Sequence, residues 1–412
     1  MMWEGIPLAE KLLLPKNRKT ALDAGFREAF GQEPTAYYTA PGRTELSGNH
    51  TDHQRGRVLA GAVDLDMQAA VCPNGSDTIR VLSQGYPICY VNLDDLEPVP
   101  QEVNTTAALI RGVAARFSQL GCKVGGFDAY MESTVLPGSG LSSSAAFEVL
   151  MGAIVNGLFF DGKATQPELA MIGQYAENVF FGKPCGLMDQ MASAVGGMVT
   201  IDFQDPAAPK LRSVDFDFSA CGHALCIIDT RASHAELTDE YAAITRELKD
   251  ISAYFGQEVL SQVSQADFFA SLPALRSRCG DRAVLRAIHF FRENDRVEKQ
   301  VAALERGDFG EYLRLMKESG ASSYMYLQNV VPTGATKDQA VAVTLALCQQ
   351  LLGDRGGYRV HGGGFAGTVQ AFVPMDLLPA FRAGIDSFLG QGACHVLTIR
   401  PQGGTQIEFT ED

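Results

Sequence analysis

Apolar residues recur at helical spacing over residues 8–30, 105–120, 145–158 and 167–180, and each stretch predicts a helix. The second of these closes at Gly121, as a helix C-terminus should, and the last begins with a proline. Between them, residues 58–71 and 78–91 alternate apolar and polar positions around the turn signal Pro73-Asn74-Gly75, which predicts strands. Further strands are expected at 126–135, 197–203 and 225–230, with 206–210 as a loop. Helical periodicity dominates the second half, at 236–255, 282–306 and 336–352, followed by strands on either side of a helix near 377–388. Strands and helices do not alternate regularly, so the class is α+β rather than a doubly wound sheet. A boundary is expected near 215–220, which divides the chain into domains 1–218 and 219–412.

Against this pattern, one stretch is anomalous. Residues 136–146 read Leu-Pro-Gly-Ser-Gly-Leu-Ser-Ser-Ser-Ala-Ala, a glycine turn and three hydroxyls set immediately before a helix. Such a turn leaves backbone N–H groups uncovered where the helix dipole favours an anion. It is not a Walker A loop, because the terminal Gly-Lys-Ser/Thr is missing. Three other segments carry polar residues and glycines in apolar surroundings. They are Pro41-Gly42-Arg43-Thr44-Glu45-Leu46-Ser47-Gly48-Asn49-His50-Thr51-Asp52-His53, then Glu177 with Cys185-Gly186-Leu187-Met188-Asp189-Gln190, and His361-Gly362-Gly363-Gly364-Phe365-Ala366-Gly367.

Taken in this order, the four segments resemble the motifs of the GHMP small-molecule kinases, and within them the galactokinases. The resemblance runs from about Pro41 to Val373. It implies a two-domain fold with an S5-like N-terminal domain, a ferredoxin-like C-terminal domain and a cleft between them. It implies an ATP-dependent sugar-1-kinase that makes galactose 1-phosphate with magnesium as the metal. On that resemblance Gly138, Ser139, Gly140, Leu141, Ser142, Ser143 and Ser144 cradle the nucleotide phosphates, and Ser83 contacts the nucleotide. Ser144 and Glu177 hold magnesium, whose hard oxygen ligands they match. Asp189 takes the proton of the attacking hydroxyl and Arg43 neutralises phosphoryl charge. Asn49, His50, Asp52 and Tyr241 bind the sugar.

Read without the resemblance, several of these residues have plainer alternatives. Glu177 reads as a surface carboxylate on an amphipathic helix, Asp189 as a cap or loop acid, and Tyr241 as a core tyrosine. His50, Asp52 and His53 also have the residue types of a metal site. The chain departs from the galactokinase pattern where Asn49 replaces a Glu that accepts from the sugar's C6 hydroxyl, and where Thr44-Glu45 replaces Val-Asn. His361 and Ala366 stand where Thr and Gly are usual, and Leu327-Gln328-Asn329-Val330-Val331-Pro332 replaces a segment that abuts the sugar. These departures leave open another galacto-configured sugar, such as galacturonate or N-acetylgalactosamine, or a non-catalytic sugar and ATP sensor.

Composition narrows the field without deciding it. The 412 residues are 46% hydrophobic and 20% charged, the balance of a globular protein. A net charge of −14 argues against nucleic-acid binding. No apolar run reaches the 18 residues a membrane helix needs. Nine scattered cysteines without a CxxC pair, and no secretory signal, point to reduced thiols in the cytoplasm. The partners expected are a small sugar and ATP, with no obligate protein partner.

Overall fold

The computed structural model describes residues 10–135, 140–183, 185–206, 208–232 and 237–410. Among them the strands form two sheets. The larger takes β1 (Leu12–Leu14), β2 (Ala36–Ser47), β3 (Arg57–Pro73), β4 (Thr78–Ser83), β5 (Cys89–Asn92), β6 (Phe127–Ser133), β7 (Met198–Asp202) and β8 (Lys210–Val214). The smaller takes β9 (His223–Asp229), β10 (Gly357–His361), β11 (Thr368–Pro374) and β12 (Cys394–Leu397), and β13 (Thr405–Phe409) returns to the larger. In the large sheet the order is β1-β13-β2-β3-β6-β4-β5, with β7 and β8 paired beyond β3; in the small one it is β10-β11-β9-β12.

Two differences from the sequence reading have local causes. Residues 12–14 form a strand, not the start of a helix, because Pro15 biases its predecessor to extended backbone and β13 offers a parallel partner at Ile407–Phe409. The helix α1 (Lys16–Phe30) therefore begins after the proline. Residues 78–91 are two antiparallel strands, broken at the turn that contains Gly85 with φ of 84°. Of the expected loop at 206–210, residue 207 lies outside the described residues and Lys210 opens β8; the first polar motif runs as far as Ser47 in the almost wholly buried strand β2.

Helices α2 (Thr106–Gln119), α3 (Ser143–Phe159), α4 (Gln166–Tyr175) and α5 (Met188–Val195) pack on one face of the large sheet around Phe117, Phe127, Met151, Ile154 and Met191. On the other face Leu46 and Leu59 meet Val297 and Val301 of the long helix Asp281–Glu305, together with Leu225 and Phe372 of the small sheet. This second core is shared by both sheets, so strand β2 is clamped between the two halves. That strand carries Arg43, Glu45 and the approach to His50.

Candidate functional site

Strand β2 breaks register with β3 twice, between Pro41 and Arg43 and between Glu45 and Ser47. Bulges of this kind re-aim side chains, and here the first turns Arg43 towards the serine loop. The Arg43 N–H donates to Leu141 O at 3.0 Å, and its guanidinium donates to Gly140 O. The same guanidinium makes a two-pronged contact with Asp189, Nε to Oδ1 at 2.8 Å and Nη2 to Oδ2 at 2.9 Å. Ser142, held at φ of 55°, donates its hydroxyl to Asp189 Oδ2 at 2.6 Å. Arg43 is buried while the Asp189 side chain keeps 31% exposure, so the carboxylate faces open space from a fixed position. Burial is the largest influence and would lower the Arg43 guanidinium; Asp189, Glu45 and Asp52 together outweigh it, and the net shift is upward.

Helix α3 starts at Ser143, directly after this contact. Ser144 Oγ lies 3.5 Å from Glu177 Oε1. Glu177 is not a surface carboxylate: only 2% of the residue is exposed. It sits where α4 passes into the π-helical turn Ala176–Phe181, an arrangement that shifts a side chain out of helical register. Its other oxygen accepts from Gln190 Nε2 at 2.8 Å, and the same amide donates to Glu148 Oε2 at 2.9 Å. Burial first, and then the nearby Glu177 charge, push the Glu148 carboxyl well above the usual carboxylate range. Lys183 Nζ completes the group, 3.1 Å from Glu177 Oε1. Ser144 and Glu177 thus present two hard oxygens to one point, a donor set that suits magnesium.

The second cluster lies on the adjoining turn. His50 Nε2–H donates to Gly363 O at 2.9 Å. Burial, and secondarily the His53 charge, lower His50 to about 3, so the ring is neutral and its Nδ1 is left as an acceptor. Asp52 Oδ1 meets His53 Nδ1 at 2.9 Å. Asp52 Oδ2 lies so close to Gly186 that a Cβ there would stand 2.0 Å from it, so any larger residue in Cys185-Gly186-Leu187 would push the Asp52 carboxylate aside. The Tyr241 hydroxyl donates to Gly364 O at 2.9 Å, and its ring packs edge-on against Phe365 at 5.5 Å. Burial raises that phenol to about 12. His50 and Tyr241 therefore both close on the last glycine loop.

The sequence-predicted residues do not all converge. Gly138 and Ser139 lie outside the described residues. Leu141 is a buried core side chain that offers the site only its backbone, and Ser143 opens helix α3. Ser83 ends β4 opposite Met131, beside the strand that leads towards the loop and apart from the hydrogen-bonded cluster. Asn49 is fully buried and its amide is engaged by protein. Its Nδ2 donates to Gly362 O at 2.7 Å and Glu45 Oε1 at 3.1 Å, while Oδ1 accepts from Asn329 at 2.9 Å and Ser323 at 3.2 Å. Among the described residues, no group of three or more His, Cys, Asp or Glu is arranged to hold a metal, His50, Asp52 and His53 included.

One participant was not assigned a role from sequence. His361 Nε2 accepts from the Glu45 N–H at 3.3 Å, so the proton sits on Nδ1, which donates to Thr368 Oγ1 at 2.9 Å. Burial, then Arg43 and Arg359, push this imidazole well below its ordinary range. It lies beneath Gly140, whose φ is 69° and where a Cβ would stand 2.6 Å from Thr368 Oγ1 and 3.1 Å from His361 Nδ1. Only its place beside the glycine string, and its departure from the usual Thr, could have signalled this.

Two family models match the segments that build this geometry. Residues 108–197 match the GHMP kinases N terminal domain, and residues 24–73 match the galactokinase galactose-binding signature. The first holds the loop, Glu177 and Asp189; the second holds Arg43, Asn49, His50 and Asp52. The chain carries a GHMP kinase N-terminal domain and a galactokinase galactose-binding signature. The fold agrees. A Lactococcus lactis galactokinase complexed with galactose superposes with a TM-score of 0.81 at 24% identity, over 94% of this chain and 99% of that one. A Methanococcus jannaschii mevalonate kinase matches at 0.63 and 14% identity, over 89% and 98%. A Streptococcus pneumoniae phosphomevalonate kinase in complex with phosphomevalonate and AMPPNP matches at 0.61 and 13%, over 88% and 100%. The matched regions are those of galactokinase-like phosphotransferases with an alcohol group as acceptor. GHMP kinases use ATP as the donor. No helix among the described residues is long and apolar enough to cross a membrane.

Proposed function

We propose that this chain transfers the terminal phosphoryl group of ATP to the anomeric hydroxyl of galactose. The observation that carries the reading is the Arg43–Asp189 pair: a carboxylate fixed at both oxygens, yet open on one side, next to the N-terminus of α3. Asp189 accepts the hydroxyl proton as the new O–P bond forms and the bond to the ADP oxygen breaks. Arg43 sits where it also counters charge on the phosphoryl oxygens. Ser144 and Glu177 would hold magnesium, which supplies charge neutralisation on the phosphates when bound. Gly138 to Ser144 cradle those phosphates and Ser83 touches the nucleotide, in a cleft between domains 1–218 and 219–412. On the sugar, His50 Nδ1 and Asp52 accept from ring hydroxyls while Tyr241 covers the site.

A second reading has one specific observation behind it. Every polar group of the Asn49 side chain is engaged by protein, so this residue has no acceptor left for a C6 hydroxyl. That leaves C6 unread by Asn49, so a galacto-configured sugar that differs at C6, such as galacturonate, is the alternative substrate. The test is ADP release with magnesium-ATP against galactose, N-acetylgalactosamine, galacturonate, arabinose, fucose and glucose. Turnover led by galactose is expected. Turnover led by galacturonate supports the second reading, and nucleotide binding without ADP release across the panel would make the protein a sensor.

A further inference from the structure

The π-helical turn that presents Glu177 also returns the chain to it. Gly182 N–H and Lys183 N–H both donate to Glu177 O, at 3.0 and 3.2 Å, and the Lys183 side chain then reaches back to Glu177 Oε1. The ammonium is thereby placed on the carboxylate oxygen that faces Ser144, one residue into helix α3. Arg43 is committed to Asp189 and Gly140 by hydrogen bonds on three nitrogens. Lys183 has one hydrogen-bond partner among the described residues, and its side chain is 60% exposed. Between Arg43 and Lys183, the lysine is the less committed.

We propose that Lys183 is a phosphate-contacting residue of this kinase, whose ammonium rests on Glu177 without nucleotide and binds the terminal phosphate of the triphosphate. The inference rests on the kinase reading above. Glu177 is buried while the Lys183 side chain is exposed, so the ammonium leaves at small cost only where a metal ion takes its place on the carboxylate. Its flexible four-carbon stem and three donors suit a phosphate that shifts during transfer, where Lys acts as a point charge. A divalent cation on Glu177 Oε1 would compete with the ammonium for that oxygen and repel it, so occupancy by magnesium would favour release of Lys183 towards the phosphate oxygens. The charge gained is greatest where the triphosphate exceeds the diphosphate. Lys183 therefore discriminates ATP from ADP, and it speeds transfer by countering charge on the phosphoryl group.

Calorimetric titration of the whole chain with ADP and with the β,γ-imido analogue of ATP, each in magnesium, tests this. Lys183→Met should weaken the triphosphate analogue roughly tenfold or more, the scale of a charge-assisted hydrogen bond, and change ADP less than about twofold. Lys183→Arg should recover most of the difference. Equal loss for both nucleotides would reduce Lys183 to a structural tether of the turn and overturn the proposal. So would unchanged nucleotide affinity, including the case where less magnesium is needed, since Lys183 would then only stand in for the metal. Failure of the unsubstituted chain to bind either nucleotide would instead sink the kinase reading itself.

Discussion

Strand β2 contributes to two arginine–carboxylate pairs two residues apart, and the chain uses them in opposite ways. Arg43 reaches Asp189 across 146 positions, and the acid remains 31% exposed. Glu45 meets Arg359, with Nη2 at 2.6 Å from Oε1 and 2.7 Å from the Glu45 carbonyl, and both side chains are shut from solvent. Gln370 and Asn49 fill in around the second pair, though Arg359 Nη1 is left without a partner. Burial raises the Glu45 carboxyl despite Arg359. The open pair has an exposed face for a substrate proton. The closed pair ties β2 to the small sheet and so holds the open pair in register.

Removing the open acid should give the largest effect. Asp189→Asn keeps the shape but loses the base and at least one contact from Arg43, so kcat should fall about 10²- to 10⁴-fold while stability drops by only about 1–3 kcal/mol. Steady-state assay and thermal melting on the same preparation read both. In the closed pair the balance reverses. Arg359→Met strands Glu45 and should cost about 3–5 kcal/mol of stability, read by urea denaturation at constant slope. A melting point within a degree of the parent would mean that the closed pair does not hold the frame.

A smaller effect tests the surroundings of Glu45. Asn49→Glu alone sets two buried carboxylates side by side, at 3.1 Å in the present contact, and should destabilise the chain by about 2–4 kcal/mol. Adding Glu45→Asn should recover about 1 kcal/mol or more, because the charge is moved rather than doubled. Strict additivity of the two changes would show that they do not share one site.

The smallest effect is a pH slope. The folded-state imidazole of His361 lies below its unfolded value, so its contribution is present above about pH 6.5 and is lost as pH falls. Below that point the parent should lose about 1.4 kcal/mol per pH unit more than His361→Gln. Parallel stability profiles between pH 6.5 and 5.5 would mean that His361 protonates freely in the fold.

Much of the open pair was legible in sequence because each partner lies in a motif with its own local chemistry. Arg43 follows Pro41-Gly42, Asp189 follows Gly186-Leu187-Met188, and the helix after Ser144 announces itself by composition. The closed pair was not legible. Arg359 and Glu45 stand 314 positions apart, and neither flanking pattern specifies a partner. Asn49 reads as a sugar ligand until Asn329 and Ser323 close over it, contacts made by segments 274 and 280 positions away. Lys183 went unassigned because a π turn, which helical periodicity does not reveal, folds it back onto Glu177. Strand β1 was hidden for a related reason: its partner β13 lies at the other end of the chain.

The most direct measurement is phosphorus NMR of the product formed from galactose and magnesium-ATP, with the Asp189→Asn protein run in parallel. A sugar phosphate coupled to the anomeric proton, formed by the parent and all but absent from a variant that still binds nucleotide, is the expected result. Phosphate on another sugar oxygen, or equal product from the variant, would contradict the assignment of Asp189 as the base for anomeric phosphorylation.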